Sequence, residues 1–271
     1  SATISNNSIH DLVISNANNL ATNNASVGGI VMSGNANKTL SGNQIFNLSN
    51  NYSSFNGSVI GVYVAGGTGN NISSNFIHSL SVDPNSSASV YGIKIASGTT
   101  TYANNIITLG GNTPTNLYGI YQTGPAGNDN SIFFNSIYIG GNPSSLTNSS
   151  YALYSTGINN IRNYRNNILV NTRSTIGASN LHYALYIAAA GGTLTCSNND
   201  YFVSGTGGIL GYFGGLKTTL PIVTGQDGGS LNLDPLFALP GGVVASNYIP
   251  SNNTILASPG TGILTDYAGN S

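Results

Sequence analysis

A unit of about thirty residues repeats along the 271-residue chain, and this period limits the possible fold more than any other feature. A small residue followed by an aliphatic residue recurs at intervals of 27 to 33 residues. The six pairs are Gly29-Ile30, Gly61-Val62, Gly92-Ile93, Gly119-Ile120, Ala152-Leu153 and Ala184-Leu185. A period of this length is typical of solenoids, in which each repeat packs only on its neighbours.

An asparagine standing before an aliphatic residue follows the same period, at intervals of 29 to 36 residues. The six asparagines are Asn7, Asn43, Asn75, Asn104, Asn135 and Asn166. We expect each to lie at a tight corner of its coil, where its amide satisfies turn backbone groups and bonds to the asparagine of the next coil. The series therefore predicts a structural asparagine ladder.

The clearest repeat predicts three short strands, Gly119–Thr123, Ser131–Phe134 and Ser136–Ile139. No segment has apolar residues at helical spacing over three turns, whereas β-branched and aromatic residues alternate between Gly, Asn and Ser clusters. We predict an all-β, right-handed parallel β-helix of six to seven coils, because parallel crossovers are almost always right-handed. Residues 1–204 form its coils, and residues 205–271 form the last coil and a capping segment.

The chain carries few charges, which excludes several classes of partner. Charged residues make up 5% of the sequence, against about 25% in ordinary globular domains. No basic stripe is present, so nucleic acid is not expected as a partner. No apolar run approaches the roughly 20 residues that span a bilayer, so membrane insertion is not expected. The sequence does not indicate an oligomeric state.

The acidic residues do not form a catalytic pattern. The chain has seven aspartates and no glutamate, and the aspartates are scattered relative to the repeat. Uronate lyases need acids that hold calcium, and glycosidases need paired carboxylates. We therefore predict no catalytic residues, no metal site and no cofactor, while an enzyme would require Asp83, Asp129 and Asp200 to converge. His10 and His78 are expected on the surface.

A column of aromatic residues is the best candidate for binding. Strand alternation places the residue after each aliphatic anchor on the outer face. The candidate residues are Tyr63, Lys94, Tyr121, Tyr154 and Tyr186. Tyrosine offers a flat apolar face for a sugar ring and a hydroxyl for hydrogen bonds, although mutual packing within the sheet is the alternative. A second series has the opposite parity and is expected in the core; its members are Tyr91, Tyr118, Tyr151 and Tyr183.

The C-terminal region carries a resemblance to a known family. Its motifs are Thr224-Gly225-Gln226-Asp227, Leu233-Asp234-Pro235-Leu236-Phe237, Ala257-Ser258-Pro259-Gly260-Thr261-Gly262 and Thr265-Asp266-Tyr267-Ala268-Gly269-Asn270. This region resembles the closing segment of secreted bacterial right-handed β-helix proteins of the pectin-lyase-like superfamily, common in Bacteroidetes. The resemblance covers about fifty residues closely and the repeats loosely. It implies the fold and secretion, in a family that contains both enzymes and binding modules.

These observations favour a non-catalytic extracellular module that binds polysaccharide or a cell-surface glycan, or that acts as an adhesive stalk. The chain begins in mid-repeat, which suggests a piece of a longer protein. One alternative is a lyase, hydrolase or epimerase acting on polysaccharide. Ice binding is a third possibility, although Thr-x-Thr ranks do not occur at the repeat period. An inert spacer is the fourth.

Overall fold

The computed structural model describes residues 1–21, 25–83, 88–112, 115–143, 148–157, 159–174, 180–255 and 260–270. Its strands are β1 (Ala2–Ser5), β2 (Ser8–Ile14), β3 (Val27–Ser33), β4 (Lys38–Ser41), β5 (Gln44–Asn50), β6 (Ser58–Ser73), β7 (Phe76–Val82), β8 (Ser89–Ala103), β9 (Ile106–Leu109), β10 (Asn116–Gln122), β11 (Asn130–Phe133), β12 (Ser136–Ile139), β13 (Ser150–Ser155), β14 (Ile161–Arg165), β15 (Ile168–Asn171), β16 (His182–Ile187), β17 (Thr193–Ser197), β18 (Asp200–Val203), β19 (Gly208–Phe213) and β20 (Leu216–Lys217). The one helix in the described ranges is a single 3₁₀ turn, Ala245–Tyr248.

The strands form three parallel ribbons, so the predicted parallel β-solenoid is confirmed, with about six turns. Ribbon 1 contains β3, β6, β8, β10, β13, β16 and β19, and ribbon 2 contains β1, β4, β6, β8, β11, β14 and β17. Both belong to one sheet because β6 and β8 run continuously through the two ribbons. Ribbon 3 is a separate sheet with the order β2-β5-β7-β9-β12-β15-β18. The prediction of three short strands per coil is therefore wrong for the two coils with long strands.

The interior is filled by aliphatic columns at the positions that the repeat predicts. Ile120 pairs with Ile93 on one side and with Leu153 on the other, and all three are buried. Ile77, Ile107 and their equivalents fill the interior from ribbon 3. Since equivalent residues of neighbouring coils lie one strand spacing apart, about 4.8 Å, each side chain packs against its own kind.

A ladder of asparagines lines the corner between ribbons 2 and 3, and all of its members after the first are buried. Its members are Asn7, Asn43, Asn75, Asn105, Asn135, Asn167 and Asn199. From Asn43 onward, each side-chain oxygen accepts from both the backbone N–H and the amide of the preceding asparagine, as Asn135 Oδ1 does from Asn105 at 3.0 and 2.9 Å. The amide nitrogen also donates to backbone carbonyls of the corner. The corner's backbone groups are thereby satisfied.

Two of the predicted ladder positions are wrong by one residue. Asn104 and Asn166 stand one place before the ladder and adopt left-handed φ angles of 55° and 58°. In these two coils an asparagine pair precedes two aliphatic residues, and the prediction aligned the first aliphatic residue with the anchor. The structure instead turns the second one inward, since Ile107 and Leu169 are buried in the interior core.

The C-terminal region closes the last coil and then folds back. Ile222 and Val223 complete the interior core, and Ser230 Oγ accepts from the ladder residue Asn199 in place of a further asparagine. The chain then returns over the outer face of ribbon 3, where Tyr248 packs with Phe76. Asn104 Nδ2 donates to the carbonyl oxygen of Thr265 at 2.6 Å, so the segment reaches back to the coil of β9. The motif residues Ala257, Ser258 and Pro259 lie outside the described ranges.

Candidate functional site

The outer face of ribbon 1 carries two adjacent columns of stacked tyrosine rings. The outer column contains Tyr121, Tyr154, Tyr186 and Tyr212, with successive ring centroids 5.2, 4.8 and 4.5 Å apart. The second column contains Tyr91, Tyr118, Tyr151 and Tyr183, with centroids 4.8, 5.0 and 5.3 Å apart. Rings of the two columns meet edge to face, for example Tyr118 and Tyr121 at 5.1 Å and 83°. We call the two columns together the tyrosine surface.

The prediction that the second column lies in the core is wrong, because the strands of ribbon 1 do not alternate strictly. The strand register pairs Tyr118 with Tyr151 and Ile120 with Leu153, and it passes over Gly119 and Ala152. A Cβ on Gly119 would collide with the Ile137 side chain, so this position also faces the interior. Gly119 and Ile120 both face the interior, so Tyr118 before them and Tyr121 after them both face outward, as at a β-bulge.

The first two candidate residues are covered by the N-terminal part of the chain. Tyr63 is 7% exposed, and Ala25 packs against the cluster that contains it. The Lys94 ammonium donates to the carbonyl oxygen of Ala21 at 2.6 Å and lies 4.5 Å from the ring centroid of Tyr91. Burial lowers the pKa of Lys94. Lys94 therefore holds the N-terminal part of the chain over the column, and its ammonium group is already occupied by this contact.

The accessible part of the tyrosine surface begins at Tyr118 and Tyr121 and extends to Tyr212. These rings are half-buried, with the exception of Tyr183, which is buried. The sequence did not indicate Tyr212, because its coil is shorter and a glycine, Gly211, replaces the aliphatic residue that precedes each earlier tyrosine. The signal that could have found it is the strand pairing of Tyr186 with Tyr212.

The ring geometry decides which part of each tyrosine meets solvent. Parallel planes with centroids near 5 Å form an offset stack, in which ring faces cover each other. The faces that a sugar ring would stack on are therefore occupied by neighbouring tyrosines within the column. Ring edges and hydroxyl groups remain at the surface, repeated at the coil spacing.

Several hydroxyls of the tyrosine surface have a raised pKa and are therefore protonated at neutral pH. Burial, with a smaller contribution from neighbouring tyrosines, raises the pKa of Tyr154 and of Tyr183 to about 12. Burial also raises the pKa of Tyr118, Tyr151 and Tyr186. The hydroxyls can therefore act both as donors and as acceptors toward a ligand.

The aspartates that an enzyme would need are not brought together. Asp83 follows β7 and Asp200 begins β18, and these strands are four places apart in ribbon 3, about 19 Å by strand spacing. Asp129 lies at the edge of ribbon 2, where its Oδ1 accepts from the Ile161 N–H at 2.7 Å. Across the described ranges, no three His, Cys, Asp or Glu side chains are grouped so that they could hold a metal ion.

Comparison of the chain with protein-family models, with curated proteins and with solved structures gives no match. No helix in the described part of the chain has the length and apolar character needed to cross a bilayer. The geometry of the surface therefore carries the functional argument by itself.

Proposed function

We propose that the chain is a non-catalytic β-solenoid module that holds a polysaccharide or cell-surface glycan against its tyrosine surface. The observation that carries this proposal is the half-exposed row of tyrosine edges and hydroxyls at Tyr121, Tyr154, Tyr186 and Tyr212. Its spacing of 4.5 to 5.2 Å suits an extended chain ligand that meets one hydroxyl after another. An adhesive role for a surface protein follows from the same contact.

The setting of the module is part of the proposal. The closing motifs support membership of the pectin-lyase-like superfamily and secretion by a bacterium, since their order resembles that family's C-terminal segment. Asp227, in the first of these motifs, accepts from the Tyr201 hydroxyl at 2.8 Å and from the Val223 N–H at 2.9 Å. The motif residue thus fixes the closure of the last coil, a structural role that agrees with a closing segment.

Affinity electrophoresis in gels containing soluble polysaccharides tests the proposal, with reducing-end and unsaturated-product assays on the same samples. We expect at least one polysaccharide to retard the protein, without new products. The double substitution Tyr121→Phe with Tyr154→Phe keeps the ring stacks and removes two hydroxyls, so it should abolish most of the retardation. Tyr52→Phe is the matched control, because Tyr52 is exposed and belongs to neither column.

Two results would contradict the proposal. Product formation would show that the chain is an enzyme, and the search would move to the aspartate-bearing loops. Unchanged retardation of the double phenylalanine variant, with circular dichroism like that of the wild type, would show that the two hydroxyls do not contribute to polysaccharide binding.

A further inference from the structure

A second concave surface lies on the outer face of ribbon 3, on the other sheet from the tyrosines. The returning C-terminal segment stands over this face at Pro240–Val243 and borders an open cavity of about 720 Å³. Residues of five successive coils line it, from Asp11 in β2 to Tyr138 in β12. Five coils span about 19 Å along the axis, so the cavity is elongated. We call it the ribbon 3 groove.

Three polar residues in strained backbone conformations line one end of the groove. Asp11, Asn47 and Ser79 have φ angles of 56°, 53° and 54° on successive strands. None of the three belongs to a paired position of the strands, so each lies outside the regular strand pairing of ribbon 3. A left-handed conformation costs a residue other than glycine roughly 1–2 kcal/mol. Strained residues and bulges concentrate at functional sites, where they redirect side chains.

Hydrogen bonds orient these side chains before any ligand arrives. Asp11 Oδ1 accepts from Asn47 Nδ2 at 3.0 Å, and Asp11 Oδ2 lies 2.8 Å from His10 Nδ1. Both contacts lower the pKa of Asp11, with the Asn47 bond as the larger cause. Because Asn47 uses its amide nitrogen in this bond, its amide oxygen points the other way. The end of the groove therefore presents two kinds of oxygen acceptor, the negatively charged carboxylate of Asp11 and the neutral amide oxygen of Asn47.

The opposite wall of the groove is held in place by one tyrosine. The Tyr248 hydroxyl lies 2.9 Å from Thr108 Oγ1 in β9 and 2.8 Å from the carbonyl oxygen of Gly242. It thus ties the turn over the groove to the sheet beneath. Tyr138 is fixed in a similar way, since its hydroxyl accepts from Thr172 Oγ1 at 3.0 Å. A preformed cleft loses less entropy when it binds a ligand.

The electrostatics of the groove select against anions. Asp11 supplies the one fixed charge among the described lining residues, which include no lysine or arginine. His78 was expected on the surface but is 6% exposed, and burial lowers its pKa to about 4, so it is neutral at pH 7. A uronate chain would place its carboxylates beside the Asp11 carboxylate, and like charges at close range repel.

We infer that the ribbon 3 groove is a second saccharide site, which takes an uncharged oligosaccharide whose hydroxyls donate to the oxygens of Asp11 and Asn47. Its elongated shape fits a linear chain of sugars, and its lining of serines, threonine, asparagines and tyrosine supplies hydroxyl and amide partners. This site is independent of the tyrosine surface, because the two lie on different sheets.

Isothermal titration of the whole chain with four tetrasaccharides tests this inference. The probes are cellotetraose, laminaritetraose, mannotetraose and tetragalacturonate. We expect at least one neutral probe to bind, and tetragalacturonate to bind at least tenfold more weakly. Asp11→Asn should weaken the neutral probe about tenfold, because a hydrogen bond to a charged acceptor is stronger than one to a neutral amide oxygen. Asparagine tolerates the left-handed conformation, so the fold should survive.

Asp129→Asn is the matched control, because it makes the same chemical change at the edge of ribbon 2 and keeps an oxygen for the Ile161 N–H. Its affinity should equal that of the wild type. The inference is overturned if no neutral tetrasaccharide binds, if tetragalacturonate binds as tightly, or if both aspartate variants behave alike. Binding that survives Asp11→Asn but is lost in the double Tyr→Phe variant would also overturn it, while supporting the tyrosine surface.

Discussion

The asparagine ladder gives the most quantitative prediction. Asn105→Ala removes four side-chain hydrogen bonds: two that Oδ1 accepts from Asn75, at 3.1 and 2.9 Å, and two that Nδ2 donates to Ile72 O and Asn135 Oδ1, both at 2.9 Å. At about 1 kcal/mol each, their loss lowers the free energy of unfolding by about 4 kcal/mol. One of the groups that lose their partner is the buried Asn75 N–H.

The residue before the ladder supplies the control. Asn104→Gly removes the side-chain hydrogen bond to Thr265 O, and glycine adopts the left-handed conformation of this position without steric cost. We expect its stability to stay within about 1 kcal/mol of the wild type. Thermal unfolding followed by far-UV circular dichroism measures both variants. Asn105→Ala should lower Tm by roughly 8–15 °C, at about 2–4 °C per kcal/mol for a chain of this size. Equal shifts in the two variants would refute the assignment of the ladder.

Three further predictions concern buried titratable groups. Burial raises the pKa of Asp200 to about 6, so its protonated form stabilises the fold below pH 3.8 and this contribution is lost as the pH rises through 6. Asp200→Asn should therefore gain about 2 kcal/mol relative to the wild type between pH 4 and pH 7, measured by urea unfolding at each pH; a difference that does not change with pH would contradict the prediction. His78 has the opposite sign, because burial lowers its pKa to about 4 and its contribution, present above pH 6.5, is lost as the pH falls. His78→Phe, which keeps an aromatic ring between Phe46 and Phe76, should remove about 3 kcal/mol of acid destabilisation in the same titration. Cys196 is buried, and burial raises its pKa, so it should react with a thiol reagent at the rate of unfolding; rapid reaction of the native chain would show that the last coil opens.

The repeat predicted the architecture because solenoid packing is local. Ile120 and its equivalents recur at the coil period, and each packs against its own kind. The ladder was predicted with an error of one residue at Asn104 and Asn166. In those coils two asparagines precede two aliphatic residues, and composition alone does not show which aliphatic residue turns inward. The pairing of Ile77 with Ile107 decides it.

The candidate site was harder to predict, because its accessibility depends on contacts between distant parts of the chain. The outer column was found from its period, but the cover over Tyr63 and Lys94 comes from residues near position 21, which lie 73 residues before Lys94. The second column was assigned to the wrong face, since strict alternation does not allow for the inward position at Gly119. The groove on ribbon 3 could not be predicted, because the turn at Gly242 has no repeat-based relation to Thr108.

The same coil spacing has different consequences on the two outer faces. On ribbon 1 it brings identical rings close enough to stack, so neighbouring tyrosines cover the faces of one another's rings. The ring edges and the hydroxyl groups remain at the surface. On ribbon 3 it aligns unlike residues, Asp11, Asn47 and Ser79, whose oxygens and nitrogens do not fully satisfy one another. A regular column thus presents a uniform surface, whereas an irregular column beside the returning C-terminal segment borders a cleft with distinct positions. The Tyr→Phe substitutions on ribbon 1 remove hydroxyls and keep the rings. Asp11→Asn on ribbon 3 removes a charge and keeps the shape of the side chain. The two experiments therefore test two different kinds of recognition in one chain.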